Sequence, residues 1–263
     1  MEDLIKKIKE KPELRGIPDS IVRELIDKYT DKYKINLKEM KKSDIKIIIK
    51  EVRAQLRIYT GRFQLSNKPI SSNNKEETDT LSLLKAHSST NERLSFYPQL
   101  KEKIKNLNPK SILDLGCGLN PLELASRDVH YYASDINQTH LDIIKEFFKK
   151  NHIKGQTFIY DLRNLSKSPE PLPETDLALL FKVLDIIDDK GRANAEKIIN
   201  MIPAKHILAS FSTIKISGKK MNRPERQWFE KMLARLGKKY STFSSENEIF
   251  YLIDNEVQYI NTR

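Results

Sequence analysis

The residues with the clearest chemical potential lie in the run Ile112-Leu113-Asp114-Leu115-Gly116-Cys117-Gly118-Leu119-Asn120-Pro121-Leu122, an apolar stretch that leads into two glycines. Glycines directly after a strand let the backbone come close to a ligand in the crevice beyond the strands' carboxyl ends. Such a turn can also serve packing alone, so its surroundings matter. Asp135 closes the next apolar run about 20 residues later, where folds of this kind hydrogen-bond a ribose. Asp161 closes the run after that.

The type of ligand follows from what fills the turn. A pyrophosphate needs a third glycine and an open helix amino terminus. Here Asn120 and Pro121 occupy that place and Asp114 stands just before the turn. A carboxylate there repels pyrophosphate and suits a cationic ligand, such as the ammonium and sulfonium of S-adenosylmethionine, with a dinucleotide as the alternative. The lone Cys117 reads as a small filler rather than a thiolate nucleophile, because no partner base is evident. No second histidine is spaced to share a metal with His87.

These residues need a scaffold, and the pattern predicts one. From residue 110, short apolar runs (SILDL 111–115, HYYAS 130–134, QTFIY 156–160, DLALLF 176–181, HILASF 206–211) alternate with amphipathic stretches. This is the texture of an α/β fold, a parallel sheet with helices on both faces. A helix around Pro224 to Leu236 and two final runs, KYSTF and IFYLI, add an antiparallel pair at the sheet edge.

Residues 1–105 read as a helical amino-terminal domain and 106–263 as the sheet domain. Asp19 is placed as the cap of one helix. From Ser43 as a cap, Ile45, Ile48, Ile49, Val52, Leu56 and Tyr59 form an apolar stripe, with Lys46, Lys50, Arg53 and Arg57 as a basic stripe beside it. Residues 64–80 are polar and Ser/Asn-rich and read as a connection. Ser89 and Glu92 fit a capping box for a helix running toward Lys105, bent or shortened by Pro98.

The net charge is +11, and two windows hold the excess: residues 32–68 carry +8 and 215–239 carry +7, leaving the remainder at −4. Concentrated basicity is expected of a protein that neutralises phosphates, and nucleic acid is the first class of partner. No apolar run is long enough for a membrane span, and the charged amino terminus lacks a secretory signal's apolar core, so a cytoplasmic location is expected. One cysteine excludes an internal disulfide and a zinc module, and no metal is expected.

The motifs HSSTNER (87–93), SILDLGCGLNPL (111–122), ALLFK (178–182), SFSTIKISGK (210–219) and QWFE (227–230) together resemble the aminoglycoside-resistance 16S rRNA guanine-N7 methyltransferases of the Arm/Rmt type, within the class I S-adenosylmethionine-dependent enzymes. The resemblance covers residues 80–253 and extends more loosely into the amino-terminal third. It implies a Rossmann-like sheet with S-adenosylmethionine as cofactor. Arg93 would pair with the cofactor's carboxylate, and Asp114, Gly116 and Gly118 would line its path. Asp135 with Ile136 would hold the ribose, and Asp161 with Leu162 the adenine.

The resemblance also implies that Lys182 faces the target nucleotide or nearby RNA phosphate; on chemical grounds an aromatic such as Phe211 or Trp228 is a candidate to stack on the unstacked base. Lys46, Lys50, Arg53 and Arg57, together with Lys215, Lys219, Lys220, Arg223 and Arg226, would grip 16S rRNA in the 30S subunit. The protein is expected to act as a monomer. Trp228 and Phe229 read as core. The family's proline after Ser-Phe is Ser212 here, and its basic residue two places on is displaced to Lys215, which weakens the target side of the comparison.

Guanine N7 has a lone pair and no proton, so its attack on the sulfonium methyl needs no general base, and positioning carries the catalysis. The base must leave its stack to be reached. The alternatives are a methyltransferase for another rRNA position, such as adenine N1, and a noncatalytic RNA-binding homologue.

Overall fold

The computed structural model describes residues 1–37, 39–59, 80–165, 171–187, 192–215 and 218–255. The chain forms α1 (Glu2–Ile8), a 3-10 turn (Pro12–Leu14), α2 (Asp19–Tyr33), α3 (Lys42–Tyr59), α4 (Thr80–Ala86), α5 (Ser88–Arg93) and α6 (Tyr97–Asn106) before its sheet begins. There follow β1 (Ser111–Leu115), α7 (Pro121–Leu124), β2 (His130–Asp135), α8 (Gln138–Lys150), β3 (Gly155–Ile159), β4 (Thr175–Phe181) and α9 (Ala193–Met201). The chain closes with β5 (Ala204–Ser212), α10 (Gln227–Arg235), β6 (Tyr240–Ser244) and β7 (Glu248–Asp254).

The strands form one seven-stranded sheet in the order β3-β2-β1-β4-β5-β7-β6. The first five are parallel, and β7 runs antiparallel to both β5 and β6. The expected α/β sheet and its antiparallel edge pair are both present. Strand order reverses between β1 and β4, and a sheet of this type opens its ligand crevice at that point.

Side-chain alternation feeds two cores. Leu113, Leu115, Leu180, Phe211, Phe229 and Leu233 pack on one face with α9 and α10. Ile112, Tyr131, Leu179, Leu208 and Phe250 pack on the other with α6 and α8. Each fully buried large aliphatic contributes about 1.5–3 kcal/mol relative to exposure.

The amino-terminal helices divide. Ile8, Leu14, Val22, Ile26, Ile48, Val52 and Leu56 make a separate core for α1–α3, which confirms the apolar stripe of α3. Phe96, Tyr97, Leu100 and Ile104, by contrast, bury against the sheet. The expected boundary at residue 105 thus falls inside the sheet unit's own packing. The bundle is tied to the sheet where Gln138 N donates to Gly16 O (2.8 Å), Asn164 Nδ2 donates to Glu24 Oε2 (3.0 Å), and Ile136 packs against its core.

Three helix starts differ from expectation. The first residue of α2 is Asp19 itself, whose carboxylate pairs with Lys9 instead of capping. α3 begins one residue before Ser43, and Asp44 takes the capping role by accepting from Lys41 N at 3.0 Å. No capping box forms at Ser89, because Glu92 is drawn to Lys182 and the chain breaks after Arg93. Pro98 then falls in the first turn of α6, where its missing N–H costs nothing. The 64–80 connection lies outside the described residues except for Thr80, which opens α4.

Candidate active site

Where β1 ends, the chain must turn sharply, and Gly116 (φ +68°) and Gly118 (φ +52°) supply left-handed conformations that other residues resist. A Cβ on Gly116 would meet Val183 Cγ1 at 2.5 Å, and one on Gly118 would meet His87 Cε1 at 2.8 Å. The turn is held from β2: Asp135 Oδ2 accepts from Gly118 N (2.9 Å) and Oδ1 from Asn137 N (2.9 Å). Each of these oxygens keeps a second lone pair, so Asp135 can still accept from hydroxyl groups in front of it.

Beside the turn lies an open crevice, whose walls include Gly116, Asp135, Ile136, Asp161, Leu162 and Val183. Five of the eight residues expected to contact a cofactor therefore meet in one place. The same walls contain Tyr160, Arg163, Ile186 and Ile187, which sequence reasoning did not single out. Arg163 holds Asp161 through Nε (2.7 Å) and Nη2 (2.6 Å), a pairing signalled only by two residues of spacing.

Arg93 and Asp114 are fully buried and are not among the described residues lining that crevice. Arg93 donates Nε to Glu248 Oε2 (3.0 Å), Nη2 to Glu248 Oε1 (2.7 Å) and Nη1 to Asn120 Oδ1 (2.6 Å). Where a ligand carboxylate was expected, the protein supplies its own. Glu248 was missed because it is the first residue of β7 and resembles any charged strand end.

Burial pushes the Asp114 carboxyl up to about 7, against the hydrogen bond it accepts from Tyr131 and the charge of Arg93. Its Oδ2 accepts from Tyr131 Oη (2.8 Å), while Oδ1 is buried with no donor among the described residues. His87, packed under Gly118, is held well below its ordinary pKa, first by burial and then by His140 and Arg93, so it stays neutral.

Lys182 directly follows β4 in a left-handed conformation (φ +59°) that side chains rarely adopt without support. Its ammonium is largely buried, 2.6 Å from Glu92 and 3.7 Å from Glu248. It is therefore ion-paired inside the molecule and does not stand free at the strand end. Phe211 is a correction: it is completely buried among Trp228, Phe229 and Tyr251 and offers no face to a base. A ring that points from β5 into the core under α9 and α10 has no reason to face solvent.

The basic stripe of α3 splits. Arg53 donates Nε to Ile8 O (3.1 Å), near the open end of α1, and Nη2 to Lys7 O, which also accepts from Glu10 N (3.4 Å). Arg57 donates to Glu13 Oε1 from Nε (3.1 Å) and Nη2 (2.9 Å). Lys46 and Lys50 are exposed. On the second patch, Lys215, Lys219, Lys220 and Arg223 are exposed, whereas Arg226 is spent internally. Among the described residues, no group of three or more His, Cys, Asp or Glu could hold a metal ion, and no helix is long and apolar enough to cross a membrane.

The parallel sheet reversing at β1, the glycine turn there and the antiparallel β7 set between β5 and β6 make up a class I methyltransferase fold. Residues 76–252 match the profile of the FmrO family, described as ribosomal RNA methyltransferase, and the chain belongs to that family. A 16S rRNA (guanine(1405)-N(7))-methyltransferase from Serratia marcescens is 31% identical over 156 residues, which is 58% of this chain and 61% of that protein. The enzyme of the same name from Micromonospora rosea is 26% identical over 180 residues, 65% of this chain and 64% of that one. The chain spans less than two thirds of the length of these relatives.

Among solved structures, the 16S rRNA methylase RmtB superposes with a TM-score of 0.75 at 23% identity, covering 96% of this chain and 97% of that one. The methyltransferase RmtF in complex with S-adenosyl-L-homocysteine gives 0.74 at 20% identity, with the same coverage. At these identities the likeness is one of fold, and it extends through the amino-terminal helices.

Proposed function

We propose that this chain methylates N7 of a guanine in the decoding region of 16S rRNA within the assembled 30S subunit, using S-adenosylmethionine, and so protects the ribosome from aminoglycosides. The observation that carries this reading is the crevice at the β1/β4 reversal, whose glycine cradle would be filled by any Cβ and whose Asp135 retains acceptor capacity. That donor set fits a nucleoside. Asp135 would hold the ribose hydroxyls, with Ile136 beside them. Asp161, kept in place by Arg163, and Leu162 would meet the adenine edge, and the backbone at Gly116 and Gly118 would follow the methionine portion. When bound, S-adenosylmethionine supplies an electrophilic methyl group on its sulfonium.

The chain's own residues need do little acid–base work, because guanine N7 has no proton to remove. Their contribution is orientation and exclusion of water. Arg93, neutralised by Glu248, fixes Asn120 beside the glycine turn, and Lys182 with Glu92 sets the polar rim where the target base would enter. Exposed Lys46 and Lys50 on α3 and Lys215, Lys219, Lys220 and Arg223 beyond β5 would contact rRNA phosphates. The protein would work in the cytoplasm as a monomer.

A methylated N7 loses its acceptor and gains positive charge, which removes a drug contact and adds repulsion. The test is transfer of labelled methyl from S-adenosylmethionine to purified 30S subunits, followed by mapping of the modified base. Label at a guanine N7 supports the reading, whereas free 16S rRNA proving a better substrate than 30S would overturn it. Expression should protect cells against gentamicin and kanamycin, and unchanged sensitivity with an active protein would remove the resistance role.

A further inference from the structure

Arg226 sits in a basic segment and reads by sequence as a phosphate contact, yet its side chain is 11% exposed. A guanidinium has five N–H donors and no acceptor. Here Nε donates to Asp185 Oδ2 (3.3 Å), Nη2 donates to Asp185 Oδ2 (3.0 Å) and Ser212 O (2.8 Å), and Nη1 faces Pro224 O (3.2 Å) and Met221 Sδ (3.4 Å). The cation also lies 5.3 Å from the centre of the Phe211 ring, and its own backbone N donates to Tyr251 Oη (2.9 Å). All five donors are thus engaged within the protein, and none remains for RNA.

The partners are informative. Ser212 ends β5, and Met221 returns to it through Met221 N to Thr213 O (2.8 Å), so Arg226 closes the base of the excursion that carries Lys215, Lys219 and Lys220. Asp185 belongs to the loop after β4, whose Val183, Ile186 and Ile187 line the nucleoside crevice. The two segments are 27 residues apart from Asp185 to Ser212 in sequence and meet through one guanidinium.

We infer that Arg226 is a positioning residue: it clamps the RNA-gripping excursion after β5 to the crevice wall after β4, fixing where bound RNA sits relative to the methyl donor. This inference rests on the methyltransferase reading above for its kinetic consequence, but not for its structural one. Losing the clamp leaves the exposed lysines and Asp135 intact, so both ligands still bind while their relative placement loosens. Misplacement remote from the reacting atoms can lower turnover on the order of 10- to 100-fold.

The experiment compares Arg226→Ala, Arg226→Lys, Asp185→Ala and the Arg226→Ala/Asp185→Ala double variant with the unaltered protein. Four readouts are taken: kcat on 30S subunits, 30S affinity across a salt series, S-adenosylhomocysteine affinity by calorimetry, and hydrogen exchange over 183–187 and 212–226. Expected are a large fall in kcat, little change in either affinity, an unchanged salt slope and partial recovery with lysine. The double variant should lose about as much as either single change, since both break one contact. Asp185→Ala should speed exchange in the excursion although it lies on the other loop.

A fall in 30S affinity with a salt slope reduced by about one on Arg226→Ala, and an inert Asp185→Ala, would show a phosphate contact and overturn the clamp. Should Arg226→Ala fail to fold, judged by lost S-adenosylhomocysteine binding, Asp185→Ala decides alone: unchanged exchange at 212–226 refutes the inference. Failure of the unaltered protein to methylate 30S would sink the functional reading and leave the exchange result standing.

Discussion

Arg93 and Glu248, 155 residues apart in the chain, form a two-pronged ion pair in which neither side chain has any exposed surface. The pair joins α5 to β7 and lies against Phe181, whose ring centre is 4.8 Å from the guanidinium carbon. Ser210 donates a further hydrogen bond to Glu248, and Lys182 approaches it. One carboxylate thereby organises two cations that the sequence assigned to the cofactor and to the target RNA.

Breaking such a pair from one side leaves a buried charge without its partner, at about 3–5 kcal/mol. Glu248→Ala should destabilise the fold by that order in urea denaturation, and Glu248→Gln by less because it still accepts from Arg93. Burial disfavours the charged carboxyl, but Arg93 and Lys182 outweigh it and hold Glu248 below the usual glutamate range. Its stabilisation is therefore present above the unfolded-state pKa and is lost as pH falls through the lower folded value. The acid limb of a stability–pH curve should flatten in Glu248→Gln.

Asp114 behaves in the opposite sense. Burial raises its carboxyl to about 7, so its contribution to ligand-free stability is full in acid and is lost as pH rises through that value. Tyr131→Phe removes the hydrogen bond to Oδ2 and should push the titration higher still. Thermal melts of the ligand-free protein between about pH 4 and pH 7 should show this loss, which levels off above the folded value, and Asp114→Asn should abolish it.

Asp135 supports both the glycine turn and, in our reading, a ribose. Hydrogen bonds to a charged group contribute about 1.5–3 kcal/mol each, so Asp135→Ala should weaken S-adenosylhomocysteine binding at least tenfold by calorimetry. Gly118→Ala should also impair binding, because φ +52° is strained for alanine and its Cβ runs into the His87 ring. Retained affinity in both variants would separate the crevice from the nucleoside.

The cations of α3 should fall into two behaviours. Lys46→Glu with Lys50→Glu should weaken 30S binding and reduce its salt dependence, without altering the melting temperature or cofactor affinity. Arg53→Ala should instead lower stability, since it removes the side-chain donor to Ile8 O and the second donor to Lys7 O. Filter binding across a salt series and thermal denaturation separate the two.

The sequence by itself determined the elements and the crevice. Short apolar runs placed the strands to within a residue or two, and glycines after β1 with acids at the ends of the next two runs marked where a ligand could lie. Those features depend on neighbouring residues: strand alternation, turn conformation and the reach of a side chain at a strand end are local properties. What only the tertiary structure decided was which charges meet. Arg53, Arg93, Lys182 and Arg226 all read as cations for a ligand or RNA, and each is paired inside the fold with a carboxylate or carbonyl brought from elsewhere in the chain. Phe211 likewise reads as a free ring and is core. A side chain's type gives its charge or its area, but its partner is set by long-range packing, and burying a charge forces the protein to supply that partner.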